Sequence, residues 1–231
     1  FKKGRVAFQD MMSQTTRGAQ APTGGRGGIN PMQVGLGSQV GSIDNIHTQG
    51  FVQTTGGSLD LAIEGNGMFA VTDGTTTYYT RAGNFYLDNE GNIVNSDGYY
   101  LIDINNNSPI NIPEEAQSFS IATDGTVNYI DENGEPQTAG QIGLAQFSNP
   151  AGLEKVGSNL FLNSANAGYN GIQTPESDGM GKIVAGALEM SNVDLAEEFT
   201  EMIVAQRGFQ ANTRIITTSD EILQELVNLK R

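Results

Sequence analysis

His47 is the single histidine of this 231-residue chain, so a Ser-His-acid relay or an imidazole-bound metal would rest on one residue in a glycine-rich stretch. There is no cysteine, which removes thiolate metal sites, disulfides and a cysteine nucleophile. GMGKI, residues 179–183, ends in Gly181-Lys182 but has Ile183 where a phosphate-binding loop needs Ser or Thr, and it lacks the upstream glycine spacing. Gly65-Asn66-Gly67 and Gly35-Leu36-Gly37 lack the third glycine of a dinucleotide fingerprint and open no helix. DNEGN and DENGE have the letters of a calcium loop, yet Tyr99 stands twelfth from Asp88 where a bidentate glutamate is needed. A glycosidase pair of carboxylates is a spatial feature that sequence does not reveal, and a carbohydrate cleft with stacked aromatics finds no tryptophan here. These residues predict no catalytic site, no metal and no cofactor, and the chain is expected not to be an enzyme.

The elements around these motifs explain them better as turns. From about residue 43 the pattern is one of short strands. LDLAIE, residues 59–64, alternates Leu59, Leu61 and Ile63 against Asp60, Ala62 and Glu64, the pattern of a half-buried strand. Turn signals follow at Asn66-Gly67, Asp73-Gly74, Glu90-Gly91, Asp97-Gly98, Asp124-Gly125 and Asn133-Gly134, dipeptides that favour tight hairpins. Their spacing predicts an antiparallel sandwich or barrel-like domain over 43–190. Residues 1–42, rich in glycine between 15 and 41, predict an extended connector. Ile29, Met32, Val34, Leu36 and Val40 make it too apolar for a free tether, so ordering on a neighbour is expected.

Residues 191–231 predict one long amphipathic helix. Leu195, Met202, Phe209, Ile216 and Leu223 recur every seventh residue, and Phe199, Ile203, Leu226 and Val227 widen the seam at its ends. Asp194 with Glu197 has the spacing of a capping box, and Lys230 with Arg231 suits the negative end of the helix dipole. A helix of this length reaches roughly 50 Å, farther than a small domain is wide. If each heptad residue gains roughly 1.5–3 kcal/mol on full burial, the seam offers on the order of 10 kcal/mol to whatever covers it. The expected architecture is mainly β, a sheet domain on a helical stalk that needs sister copies.

The net charge of −14 is segregated. Residues 1–26 balance to +4, whereas residues 27–190 carry 18 acids against Arg81, Lys155 and Lys182. So acidic a surface repels phosphate backbones, and nucleic acid is not an expected partner. The basic beginning and acidic middle have the signs to attract one another between subunits. No run of about 18 apolar residues is present to span a membrane.

GSLDLAIEGNGMFAV, YTRAGNFYLDNEGNIV, NPAGLEKVGSNLF and the ending from GALEMSNVDLAEEF onward resemble the axial proteins of the bacterial flagellum, the rod and hook group. The resemblance runs over nearly the whole chain. It implies a structural subunit that polymerises into a helical tube, is exported through the flagellar type III apparatus and lies outside the cell. It further implies partners among the other axial proteins: distal rod, hook–filament junction and hook cap. FKKGR at the start resembles the point just after the family's N-terminal helix, which in the family pairs with the C-terminal one. Within the group, GGINPMQVGLGSQVGSID and ITTSDEILQELVNLKR look most like the short hook type of Gram-positive bacteria, with the distal rod type as runner-up. The self-assembly residues expected are the nine seam residues of the helix, with Ile29, Met32, Val34 and Leu36 as further contacts.

Overall fold

The computed structural model describes residues 1–22, 24–25, 27–105, 109–177 and 179–229. Two compact units divide between Asn192 and Val193. Among the described residues the regular structure of the first is β apart from a short 3-10 turn, that of the second is one helix, and every named strand pair is antiparallel.

The first unit begins as a two-stranded ribbon. Strands β1 (Gly4–Asp10), β2 (Ser13–Arg17), β3 (Met32–Gly35) and β4 (Ser38–Asn45) pair outermost to outermost and innermost to innermost. A bridge between Gln20 and Ile29 continues the ladder toward the tip. This segment satisfies backbone groups by pairing with itself. Gly24 and Gly25 lie in a turn. None of the segment's described residues is buried.

The body continues with β5 (Val52–Thr54), β6 (Leu61–Glu64), β7 (Met68–Thr72), β8 (Thr77–Thr80), β9 (Phe85–Leu87), β10 (Ile93–Asn95) and β11 (Tyr100–Leu101). A meander follows, β12 (Ser118–Ile121), β13 (Thr126–Ile130) and β14 (Pro136–Gln141), then β15 (Leu144–Phe147), β16 (Glu154–Gly157), β17 (Leu160–Leu162) and β18 (Tyr169–Gln173). The chain returns through β19 (Lys182–Ala185) onto β6 and β20 (Ala187–Glu189) onto β5. The main sheet runs β16-β17-β8-β7-β11-β10-β9, with β15 pairing both β7 and β18. Among the described residues no barrel closes.

The core gathers Leu61, Ile63, Phe69, Ile93, Leu101, Ile142, Leu144 and Ile183, all essentially without solvent exposure. Phe69 and Phe85 meet edge to face there, ring centroids 5.3 Å apart, a geometry that matches a ring's positive edge to its neighbour's negative face. Ala62, expected on an outer face, is fully buried as well. Residues 61–63 are fully buried on both faces of β6, whose backbone bonds β19 along one edge and, through Leu61 N–H, the Gly83 carbonyl. The glycine of every predicted turn signal has a positive φ, from +79° at Gly134 to +129° at Gly67. Five signals are hairpin turns; Asn66-Gly67 is not, since β6 and β7 belong to different sheets.

The second unit is α1 (Leu195–Leu229), with none of its residues buried. Asp194 caps it by accepting the Ala196 N–H at 2.8 Å, satisfying one orphan donor of the first turn. Lys230 and Arg231, expected to complement the dipole, lie outside the described residues.

Candidate assembly surfaces and their anchor

The helix presents its seam to solvent along its whole length. Leu195, Phe209 and Ile216 are 69%, 75% and 67% exposed, and Phe199, Met202, Ile203, Leu223, Leu226 and Val227 are all more than half exposed. Successive residues turn roughly 100° about the axis, so a strict seven-residue period drifts roughly 20° per repeat. The apolar arc follows that drift and then widens. Ile215, Ile222 and Leu229 form a second seven-residue track in the C-terminal half, exposed at 63%, 59% and 83%. This track is harder to see in the sequence, where Gly208 and Glu201 interrupt it upstream. Thr213, Thr217, Thr218 and Ser219 return their hydroxyls to carbonyls three or four residues back, meeting their polar needs inside the helix.

On the ribbon, Met32 and Val34 point to one side of β3, and Ile29 and Leu36 flank them. All four are exposed, Leu36 at 62%. Nearer the root, Val6 opposes Ile43 and Phe8 opposes Val40, so these four share a face, with a bulge between Ala7 and Phe8 re-aiming the strand. Val6 and Phe8 are apolar positions the sequence marks as available for packing; Ile43 is not marked there, because its place on this face comes from cross-strand pairing with a residue more than thirty positions away.

One charged cluster fixes the ribbon's root to the sheets. Glu189 on β20 is buried, its side chain 3% exposed. Its Oε1 accepts Lys2 Nζ at 2.5 Å and Gly50 N–H at 2.9 Å, and its Oε2 accepts Arg81 Nε at 2.7 Å. Burial alone would raise its pKa, but the hydrogen bonds from Lys2, Gly50 and Arg81 outweigh that and hold the carboxyl below its ordinary value. Arg81 spends its other donors on the carbonyls of Gly67, Gly65 and Ile63. Asn192 completes the joint, accepting Lys3 N–H and donating to Ile46 O and the Thr48 hydroxyl. Sequence reasoning passed over Glu189 and Arg81, because a lone acid and a lone base 108 residues apart carry no local pattern.

The residues tested for chemistry have structural roles. His47 packs edge-on against Phe161 with centroids 5.5 Å apart. Its pKa is depressed, first by burial and then by the charges of Lys2 and Arg81. Lys182 of GMGKI pairs with Glu64 at 2.9 Å across adjacent strands. DNEGN and DENGE are turns, closed by Gly91 N–H on Asp88 O and Gly134 N–H on Asp131 O. Gly65-Asn66-Gly67 is the loop strapped by Arg81. Among the described residues no three acidic or imidazole side chains gather to hold a metal ion, and no helix is long and apolar enough to cross a membrane.

Two family models match the chain: the flagellar hook protein FlgE/F/G D1 domain over residues 62–129 and the flagellar basal body rod FlgEFG protein C-terminal region over residues 184–229. The flagellar basal-body rod protein FlgG of Bacillus subtilis (strain 168) is 56% identical over 232 residues, which cover 100% of this chain and 88% of that protein. FlgG of Borreliella burgdorferi is 41% identical over 237 residues, covering 100% and 87%. The flagellar hook protein FlgE of the same organism is 30% identical over an alignment of 408 residues, covering 100% and 92%.

Proposed function

The chain belongs to the flagellar rod and hook family of axial structural proteins, and from that premise we propose that it is a subunit of the basal-body rod, polymerising with its own kind into a tube that carries torque. The observation that carries this reading is the helix: a 35-residue element with an unbroken heptad stripe and no buried residue. Heterologous contacts between such stripes build open helical assemblies. Leu195, Phe199, Met202, Ile203, Phe209, Ile216, Leu223, Leu226 and Val227 are the proposed inner contacts, joined by Ile215, Ile222 and Leu229. Ile29, Met32, Val34 and Leu36 on the ribbon are the proposed outer ones. The functional division is then a ribbon over 1–42, a β-domain over 43–190 and an inner helix over 191–231, with other axial proteins at the ends of the tube and delivery by the flagellar export apparatus.

The hook type, preferred on the stretches GGINPMQVGLGSQVGSID and ITTSDEILQELVNLKR, gives way to the rod type. Relatives named for the rod align end to end with this chain at 56% and 41% identity, while the hook relative needs 408 aligned positions to span it. The reading assigns the chain no covalent chemistry.

Met202→Asp in the full chain tests it. The substitution places a charge in the seam at a residue 53% exposed in the single chain, so circular dichroism of the β-domain should be unchanged while sedimentable polymer disappears. Polymerisation equal to wild type overturns the role given to the helix. Electron microscopy of the wild-type polymer separates the two types: a straight, stiff tube supports rod, and a curved, supercoiled one supports hook.

A further inference from the structure

An open groove of about 470 Å³ lies on the first unit between the β9–β10 turn and the segment that leads into β12. One wall is the turn after β9, from Leu87 through Gly91; the other is the segment from Ile112 into β12, ending at Phe119. The floor is apolar, with Ile112 buried, Ala116 and Phe119 half-buried, and Leu87 40% exposed. Asp88 and Glu114 line the groove, and Glu90 and Glu115 adjoin them in sequence; all four are exposed. Between residues 82 and 154 the sequence has no Lys, Arg or His to offset them.

The distal half of the ribbon has the opposite character. Residues 11–36 include Arg17 and Arg26 and no carboxylate. Met12, Met32, Val34 and Leu36 are 82%, 55%, 60% and 62% exposed, so the ribbon's own chain covers neither these side chains nor the groove. A two-stranded ribbon by itself is marginally stable in water and needs a surface to lie on.

We propose that the groove between β9 and β12 receives the distal ribbon, residues 11–36, of a neighbouring copy, with the ribbon's apolar side chains on the Leu87–Phe119 floor and Arg17 against the acidic rim. The proposal rests on the axial-subunit reading and adds to it the outer contact. Apolar burial supplies the affinity; the charges set register and steer the encounter, and they weaken as salt rises.

The absence of native cysteine makes a cross-linking test clean. Full chains bearing Ala116→Cys and Val34→Cys are mixed, assembled and treated with a short bismaleimide. A cross-linked dimer containing one of each, formed only after assembly, is the expected result. In parallel, Glu90→Lys with Glu114→Lys should raise the critical concentration about tenfold at low salt, and adding Arg17→Glu should restore most of it. Neither carboxylate has a side-chain bond that the fold needs, and circular dichroism checks that the variants fold. Polymer that forms at the wild-type concentration without the 116–34 product, or a charge-reversed chain that Arg17→Glu does not rescue, overturns the docking and leaves the helix-driven assembly standing. Wild-type chain that never polymerises brings down the axial reading and this inference with it.

Discussion

Replacing Glu189 by Gln keeps the shape of the joint and removes its negative charge. The carboxylate receives three donors, from Lys2, Gly50 and Arg81, at 2.5, 2.9 and 2.7 Å. A carboxamide has one accepting oxygen, so its NH2 must face a donor on one side or the other. The stranded cation is largely shielded from water, since the Lys2 and Arg81 side chains are 10% and 16% exposed. Breaking a buried pair from one side costs about 3–5 kcal/mol. Arg81 keeps three carbonyl acceptors, which favours the lower end, about 3 kcal/mol. For a unit of this size that is a fall in Tm of roughly 6–12 °C. Urea unfolding followed by circular dichroism measures it, and hydrogen exchange at the Ile46 amide, bonded to Lys3 O, reports whether the ribbon's root loosens first. The pH dependence supplies a second check. Because the folded pKa of Glu189 is lowered, its contribution is fully present above the unfolded carboxyl value of about 4.3 and is lost as pH falls through the folded value. The gap between wild type and variant should therefore close in acid below that point. A loss under about 1 kcal/mol at neutral pH, or a gap that persists unchanged into strong acid, refutes the role given to this cluster.

His47 titrates with the opposite consequence for charge but the same slope. Its folded pKa lies below the unfolded value of about 6.5, so the unfolded chain binds more protons in that interval and wild type loses stability as pH drops through it; His47→Phe should flatten the urea midpoint there. Gly83→Ala puts a methyl 1.6 Å from the Leu61 carbonyl oxygen, a rigid backbone atom, and should cost at least about 1–3 kcal/mol by thermal unfolding. Gly208→Ala meets nothing within 4 Å in the single chain and should stabilise α1 by about 1 kcal/mol, seen as higher helicity; polymerisation that fails in this variant alone would place Gly208 in a close helix contact.

Features whose cause is local and periodic are readable in the residues alone. Five of the six glycine turn signals are hairpins, because positive φ is a property of the residue and its neighbours. The helix and its Asp194 cap were legible for the same reason, and so was the apolar stripe that α1 leaves exposed. Its second track, Ile215, Ile222 and Leu229, is less legible because the period breaks at Gly208. Other features needed the tertiary structure. The ribbon's self-pairing joins Gly4 to Asn45 through an isolated antiparallel ladder that no periodicity announces. Strand β6 finds its ladder partner β19 more than a hundred residues away, inside a body that buries Ala62 as well as its neighbours, and Asn66-Gly67 connects two sheets where the letters suggested a hairpin. Glu189 becomes an anchor only when Lys2 and Arg81 converge on it, 187 and 108 residues distant. Contacts of that kind depend on where the whole chain is packed, so they leave no mark in any window of sequence short enough to read.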